Sequence, residues 1–168
     1  PDNAALASNG TVAFGSSELD FGGIHLIAHI NEGLYGNKNS WISDRGVGGG
    51  ADTNLFVGLA FPAPIAIHNV AWSRDNGDDT ERTPAGPFTD RAIGVYTLQV
   101  TTLPNPGVDT LESTNVDSGW VTVGTVEYKG DDAAFHSYLR HRFEVSGANT
   151  TPIQATGLRL KVSDGNTD

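Results

Sequence analysis

The sequence predicts an all-β fold, a sandwich or a barrel built from short strands. Apolar and polar side chains alternate in residues 139–145 and 158–162, the period-two pattern of half-buried strands. The 21 glycines and 8 prolines are spread along the chain and predict many turns. No segment carries a sustained apolar stripe of helical period with caps, and no strand–helix alternation is visible.

Further strands are predicted at 11–15, 54–61, 65–73, 93–101 and 119–128. Pro62 and Pro64 are expected to separate the second of these from the third, because proline cannot donate to a sheet ladder. Residues 25–30 are expected to form at most a short helical turn. In 158–162, the leucines and Val162 are expected to face the core while Arg159 and Lys161 face away from it.

Composition limits the class of partner. A single domain is expected over residues 1–168, and the formal net charge of −10 with a pI of about 4.7 argues against nucleic acid and anionic membranes. No apolar run is long enough for a membrane span, so membrane insertion is not expected. The chain lacks cysteine and methionine and begins at Pro1, which indicates a processed protein or a module of a larger one.

Residues 31–41 read Asn-Glu-Gly-Leu-Tyr-Gly-Asn-Lys-Asn-Ser-Trp and contain closely spaced oxygen donors. Glycines that permit positive φ, together with the oxygens of Asn31, Glu32, Asn37 and Asn39, are typical of a loop around calcium. An ordinary turn has the same composition. Both interpretations stand at this level, and either fits a binding domain better than a catalytic centre.

Two groups of residues are candidates for ligand binding. Arg74, Asp75, Asp90 and Arg91 flank the long loop 75–90, where guanidinium forks and carboxylates could grip sugar hydroxyls or form a structural network that pins the loop. The second group follows a Gly-Asp-Asp turn in the loop 129–138.

That second group consists of Phe135, His136 and Tyr138, which combine aromatic surface with polar atoms as a sugar platform requires. Tyr35, Trp72 and Trp120 are further stacking candidates. The two tryptophans lie within strand patterns, so burial in the core is the expectation for them.

No catalytic motif is present. The chain has no Gly-x-Ser-x-Gly elbow and no cysteine nucleophile, and the glycine run 46–50 lacks the Lys-Ser/Thr of a phosphate loop. His25 and His29 lack the adjacent glutamate of a zinc protease motif. The acidic run from Asp75 has Gly86 at the position where an EF-hand needs glutamate. A solvated loop is therefore expected for this run. An enzyme is therefore not expected.

Several short segments occur in a familiar order: an Ala/Ser-rich opening strand at 3–8, the loop 31–41, Trp-Ser-Arg-Asp-Asn at 72–76, Asp-Arg-Ala-Ile-Gly-Val-Tyr-Thr-Leu-Gln at 90–99 and Ala-Thr-Gly-Leu-Arg-Leu at 155–160. In this order they resemble the galactose-binding-like superfamily, which includes the discoidin or coagulation-factor type C domains and related carbohydrate-binding modules.

The resemblance implies a jelly-roll β-sandwich of about eight antiparallel strands. It also implies a structural calcium ion at the loop 31–41, the early loop. Carried over by position, the calcium region comprises Asn31, Glu32, Gly33, Asn37 and Ser40. Trp41 matches an aromatic residue that packs near this loop. Ligands of such domains bind to loops at one end of the sandwich.

The expected function is a non-catalytic carbohydrate-binding module of a larger secreted or cell-surface protein, which binds an oligo- or polysaccharide alongside the other domains of its parent. The alternative is a protein-interaction or adhesion domain on the same scaffold with no sugar pocket. An exposed apolar site would favour that alternative.

Overall fold

The structure, a computed structural model, describes residues 3–19, 22–34, 37–44, 55–72, 94–109, 118–128, 141–145 and 152–162. The strands in this part of the chain are β1 (Val12–Gly15), β2 (Phe56–Ile67), β3 (Asn69–Trp72), β4 (Gly94–Thr101), β5 (Val121–Tyr128), β6 (His141–Glu144) and β7 (Ile153–Val162). Short 3₁₀ helices span Ala7–Asn9, Ile27–Ile30 and Asn37–Asn39, and one α-helical turn, α1, spans Pro106–Asp109. No helix in the described ranges is both long and apolar enough to cross a bilayer.

The strands form two antiparallel sheets, as predicted. The larger sheet has the order β1-β2-β7-β4-β5, and β3 pairs with β6 in the smaller one. Strand β7, near the end of the chain, lies at the centre of the larger sheet between β2 and β4. The all-β sandwich is therefore confirmed, with seven strands among the described residues against about eight expected.

The core consists of apolar side chains from both sheets. Its fully buried members are Ile67, Leu98, Val100, Val145, Ala155 and Leu158. Each buried isoleucine, leucine or valine side chain contributes about 1.5–3 kcal/mol to stability. The alternation predicted in residues 142–145 is confirmed, because Phe143 and Val145 are inside while Arg142 and Glu144 are exposed.

Arg159 corrects the prediction for the last strand. This side chain is on the face opposite Leu158, as expected, but it is 0% exposed instead of solvent-facing. Its guanidinium carbon lies 4.9 Å from the ring centre of Phe56 and 4.5 Å from that of Trp120, and its Nε donates to Gln99 Oε1 at 2.8 Å. Aromatic side chains therefore cover the second face of the sheet around a buried cation.

The prolines of β2 also correct the prediction. Pro62 and Pro64 lie inside one strand instead of separating two, and the break falls at His68. Between Ala60 and Ile65 the pairing with β7 is irregular, and the prolines are exposed there. A bulge leaves residues without ladder bonds, so the missing proline N–H groups cost little at this place.

The opening segment 3–8 is not a strand. It forms a turn followed by the 3₁₀ helix Ala7–Asn9, which ends at Gly10 with φ of 83°. The Thr11 hydroxyl donates to Ala4 O at 2.6 Å and fixes this segment against the start of β1. The short helical turn expected in 25–30 is confirmed as Ile27–Ile30.

Candidate functional site

Asn31 anchors the early loop to the start of the chain. Its side chain is 5% exposed, its Nδ2 donates to Thr11 O at 3.0 Å, and its backbone carbonyl accepts from Ala7 N at 2.9 Å. A buried amide satisfied in this way holds two segments 20 residues apart. The bond engages the amide nitrogen, so Oδ1 of Asn31 is left as a candidate ligand oxygen.

We expect Asn31→Ala to lower the free energy of unfolding by about 1–3 kcal/mol, because Thr11 O then loses its buried donor. Urea denaturation followed by tryptophan fluorescence measures this change. Asn9→Ala is the matched control, since the Asn9 amide donates to Asn3 O at 2.9 Å in an exposed setting. A change below about 0.5 kcal/mol is expected there. Equal effects for the two variants would contradict the anchoring role.

Ser40 pairs with a buried histidine. Ser40 Oγ lies 2.8 Å from His25 Nδ1, and His25 is buried with a left-handed φ of 62°. His29 uses its own Nδ1 to accept from Leu26 N at 3.4 Å. The two histidines therefore have different hydrogen-bond partners.

The remaining early-loop candidates differ in exposure. Glu32 and Gly33 are exposed, and Gly33 has φ of 87°, which favours glycine at that position. Asn37 begins the 3₁₀ helix Asn37–Asn39. Trp41 is half-buried and its indole N–H donates to Ser17 O at 2.9 Å, so this aromatic residue acts in packing.

Glu18 is a contributor that sequence reasoning missed. Its carboxylate accepts from Ile27 N at 2.7 Å, at the start of the 3₁₀ helix Ile27–Ile30. The only sequence signal is an acidic residue ahead of a short helical turn, which is weak at a separation of nine residues. Together with the Leu19 N–Ile42 O bond of 2.9 Å, this contact holds the loop in place.

The early loop lies along the β1 edge of the larger sheet. The Ile27 side chain is beside Gly15 at the end of β1, and Asn31 binds Thr11 at its beginning. Asn31, the first of the candidate metal residues, is therefore located at this edge.

The donor chemistry of this loop fits a calcium ion in part. Calcium takes six to eight oxygen ligands. Asn31 Oδ1, the Glu32 carboxylate and the Ser40 hydroxyl can supply oxygen, and Ser40 can donate its proton to His25 Nδ1 while a lone pair faces a cation. Across the described ranges, no three His, Asp or Glu side chains are grouped to hold a metal. The site would therefore depend on neutral oxygens and a single carboxylate.

The predicted ligand-binding residues lie outside the described residues: Arg74, Asp75, Asp90, Arg91, Phe135, His136 and Tyr138. Tyr35 lies outside them as well. The strand ends that flank these segments are described. Trp72 at the end of β3 pairs with His141 at the start of β6, and Gly94 at the start of β4 pairs with Tyr128 at the end of β5.

The two pairs of strand ends are close in space. Trp72 of the smaller sheet contacts Tyr96 of the larger one, with ring centres 5.3 Å apart and an edge-to-face angle of 74°. The four strand ends that precede and follow the segments 73–93 and 129–140 therefore lie at the same end of the sandwich.

The two candidate stacking tryptophans act in packing. Trp120 is 7% exposed against Phe14 and Arg159. Trp72 is half-buried between Tyr96 and Phe143. The expected burial of Trp120 is confirmed, and Trp72 belongs to an aromatic cluster that joins the sheets.

Comparison with known proteins gives a clear result for the fold. No protein-family model and no curated protein matches the sequence. Among solved structures, CpGH89CBM32-5 from Clostridium perfringens, in complex with GalNAc-β-1,3-galactose, is 14% identical with a TM-score of 0.58 and covers 96% of this chain and 91% of that one.

Two further structures extend this comparison. An F5/8 type C domain from Bacteroides fragilis is 10% identical with a TM-score of 0.56, over 94% of this chain and 83% of that one. Allantoicase from Saccharomyces cerevisiae is 12% identical with a TM-score of 0.57, over 95% of this chain and 38% of that one. The same architecture thus occurs as a separate module and as part of an enzyme.

The chain is a β-sandwich of the kind found in sugar-binding and discoidin-like domains. It shares this fold with the carbohydrate-binding module and the F5/8 type C domain compared above, the fold that the resemblance implied.

Proposed function

We propose that this chain is a non-catalytic carbohydrate-binding module of a larger secreted or cell-surface protein. One observation carries the proposal: the whole sandwich matches a module solved with a bound galactose-containing disaccharide, over 96% of this chain. The absence of a catalytic motif from the sequence supports a binding role over an enzymatic one.

The proposed site is formed by the segments 73–93 and 129–140. Their flanking strand ends lie together, which favours a shared site at this end of the sandwich. Arg74, Arg91 and the two aspartates would bind sugar hydroxyls, and Phe135 or Tyr138 would cover the apolar face of the ring.

A shallow site of this type has a Kd of roughly micromolar to millimolar, about −8 to −4 kcal/mol. The other domains of the parent protein would then raise the effective affinity through avidity.

Arg74→Ala is expected to weaken binding of a galactose-containing disaccharide by about tenfold or more, because a charge-assisted hydrogen bond contributes about 1.5–3 kcal/mol. Isothermal titration calorimetry measures the change, and unchanged thermal unfolding shows that the variant is folded. Arg142→Ala is the control, since Arg142 is exposed on the smaller sheet and its Nε contacts Asn69 Oδ1 at 2.7 Å. Equal affinity in the two variants would remove Arg74 from the site.

We also propose a structural calcium ion held at the early loop by Asn31, Glu32, Gly33, Asn37 and Ser40. Asn31 and Ser40 are already positioned by Thr11 and His25, so a cation would meet oriented oxygens. Bound calcium would tie the loop more firmly to the β1 flank.

If the Kd is about 10 µM, 1 mM calcium is expected to stabilise the domain by about 2.7 kcal/mol, a rise in Tm of roughly 5–10 °C. Differential scanning calorimetry with calcium, magnesium or chelator tests this, and Glu32→Gln should reduce the calcium effect. An identical response to magnesium and calcium, or no response to either, would contradict the calcium site.

A further inference from the structure

The inner face of β5 has a gap at Gly124. This residue pairs with Leu98, a core residue that is 4% exposed. A Cβ atom built on Gly124 meets no heavy atom within 4 Å. A half-open cleft of about 380 Å³ lies here between β5 and β6, with Leu98, Val126 and Phe143 among its walls. The missing side chain therefore leaves open space beside Leu98.

The cleft faces the edges of both strands. Four successive residues of β5, 123–126, line it, together with residues 142–144 of β6 and the following Val145. Successive side chains of a strand point to opposite faces of its sheet. A cleft that is lined by successive residues therefore lies along the backbone edge of the strand. Within the described part of the chain, β5 is the last strand of the larger sheet and β6 pairs with β3 alone. Their outer N–H and C=O groups are placed to pair with an added strand.

The two edges of the larger sheet differ in protection. The early loop flanks β1, through Ile27 beside Gly15 and the Asn31–Thr11 bond. β5 reads Val-Thr-Val-Gly-Thr-Val-Glu-Tyr and contains neither lysine nor proline, the residues that commonly block strand pairing at an edge. Its one charge is Glu127.

We propose that the β5–β6 cleft binds an extended peptide segment of another protein, which adds as a strand to β5 and inserts an apolar side chain into the space over Leu98. Main-chain pairing would provide affinity, and the gap at Gly124 would select the anchor residue. The volume of about 380 Å³ is in the range of specific ligand pockets.

Charge indicates the composition of the partner. This chain has a net charge of −10, and the exposed Glu144 lines the cleft. Arg142, the cation that also lines it, donates from Nε to Asn69 Oδ1. A peptide with lysine or arginine beside its apolar anchor is therefore favoured. The open space at Gly124 lies beside a backbone edge, with which an extended peptide can pair and a sugar cannot.

A display library of linear seven-residue peptides, selected on the folded domain, tests the proposal. The selected peptides should carry an apolar residue flanked by Lys or Arg. The selected peptides are then synthesised with a fluorescent label, and fluorescence anisotropy should give a micromolar Kd for their binding to the domain. Gly124→Val should weaken their binding by about tenfold or more, because the added side chain occupies the anchor space. The same change should raise Tm by about 2–4 °C, since glycine within a strand is destabilising.

Ala66→Val is the matched control, because Ala66 is exposed on β2 and distant from β5 in the sheet. It should leave peptide binding unchanged. The proposal would be overturned if the domain selects no peptide from the library. It would also be overturned if the wild type and Gly124→Val bind the selected peptides with equal affinity. A concentration-dependent dimer that Gly124→Val abolishes would assign the cleft to a second copy of this chain and also overturn it. Sugar binding should be the same in Gly124→Val, so this test is independent of the proposed function.

Discussion

Arg159→Ala is expected to lower the free energy of unfolding by about 3–5 kcal/mol, a large share of the 5–15 kcal/mol typical of a domain. Arg159 is 0% exposed and its guanidinium is stacked between Phe56 and Trp120. Alanine would leave a cavity between these rings and deprive Gln99 Oε1 of its buried donor. The loss therefore combines packing, cation–π attraction and hydrogen bonding.

Urea denaturation measures this loss, and two further variants separate its causes. Arg159→Met keeps most of the volume without the charge, so its loss would report the cation–π attraction and the hydrogen bond, and the difference from Arg159→Ala would report packing. Arg142→Ala controls for removal of an exposed arginine and is expected to change stability by less than about 0.5 kcal/mol. A loss below about 1 kcal/mol for Arg159→Ala would show that the stacked arrangement does not stabilise the sheet.

Gly58→Ala is expected to cost about 3 kcal/mol, at the upper end of the usual range for overpacking. A Cβ at this position would lie 2.6 Å from Leu158 O, 2.7 Å from Phe14 Cζ and 2.8 Å from Arg159 Cβ. The nearest of these atoms is backbone in the central strand β7, so rotation of a side chain cannot relieve the contact. The β2–β7 pairing would have to separate locally.

Gly124→Ala is the matched control for Gly58→Ala. Both glycines lie within strands of the same sheet, but a Cβ at Gly124 has open space around it. We expect Gly124→Ala to be neutral or to stabilise by about 0.5–1 kcal/mol. Chemical denaturation of both variants measures the difference. Similar losses would mean that intrinsic strand preference, and not crowding, determines the effect at Gly58.

The fold class could be predicted because alternation is a local property of the sequence. Residues 142–145 show it clearly, and their inward and outward positions are confirmed. Arg159 could not be assigned correctly in this way. Alternation identifies the face of a side chain, whereas its burial depends on Phe56 and Trp120, which are distant in sequence. The same limit applies to Pro62 and Pro64, which β2 tolerates because of the irregular pairing with β7.

The candidate site shows a similar division. Composition identified the early loop as a source of oxygen donors, but not that Asn31 would bind Thr11 or that Ser40 would bind His25. The loops 75–90 and 129–138 could be named from their turn residues. That their flanking strand ends lie close together could not be predicted, because it depends on Trp72 pairing with His141 and contacting Tyr96. Contacts between distant segments have no local signal in a single sequence.

The two proposed binding sites are expected to bind different classes of ligand. The sugar site would bind polar rings at one end of the sandwich, and the β5–β6 cleft would bind an apolar side chain of a peptide in the space over Leu98. Arg74→Ala and Gly124→Val should therefore act independently, each on its own ligand. Loss of both activities in either variant would indicate a general effect on folding.

A glycan array probed with the isolated domain, with and without chelator, tests the central claim most directly. We expect binding to a defined group of galactose-containing glycans, with a signal that decreases when calcium is removed. Absence of binding across neutral and acidic glycans, by a domain that calorimetry shows to be folded, would contradict the assignment as a carbohydrate-binding module.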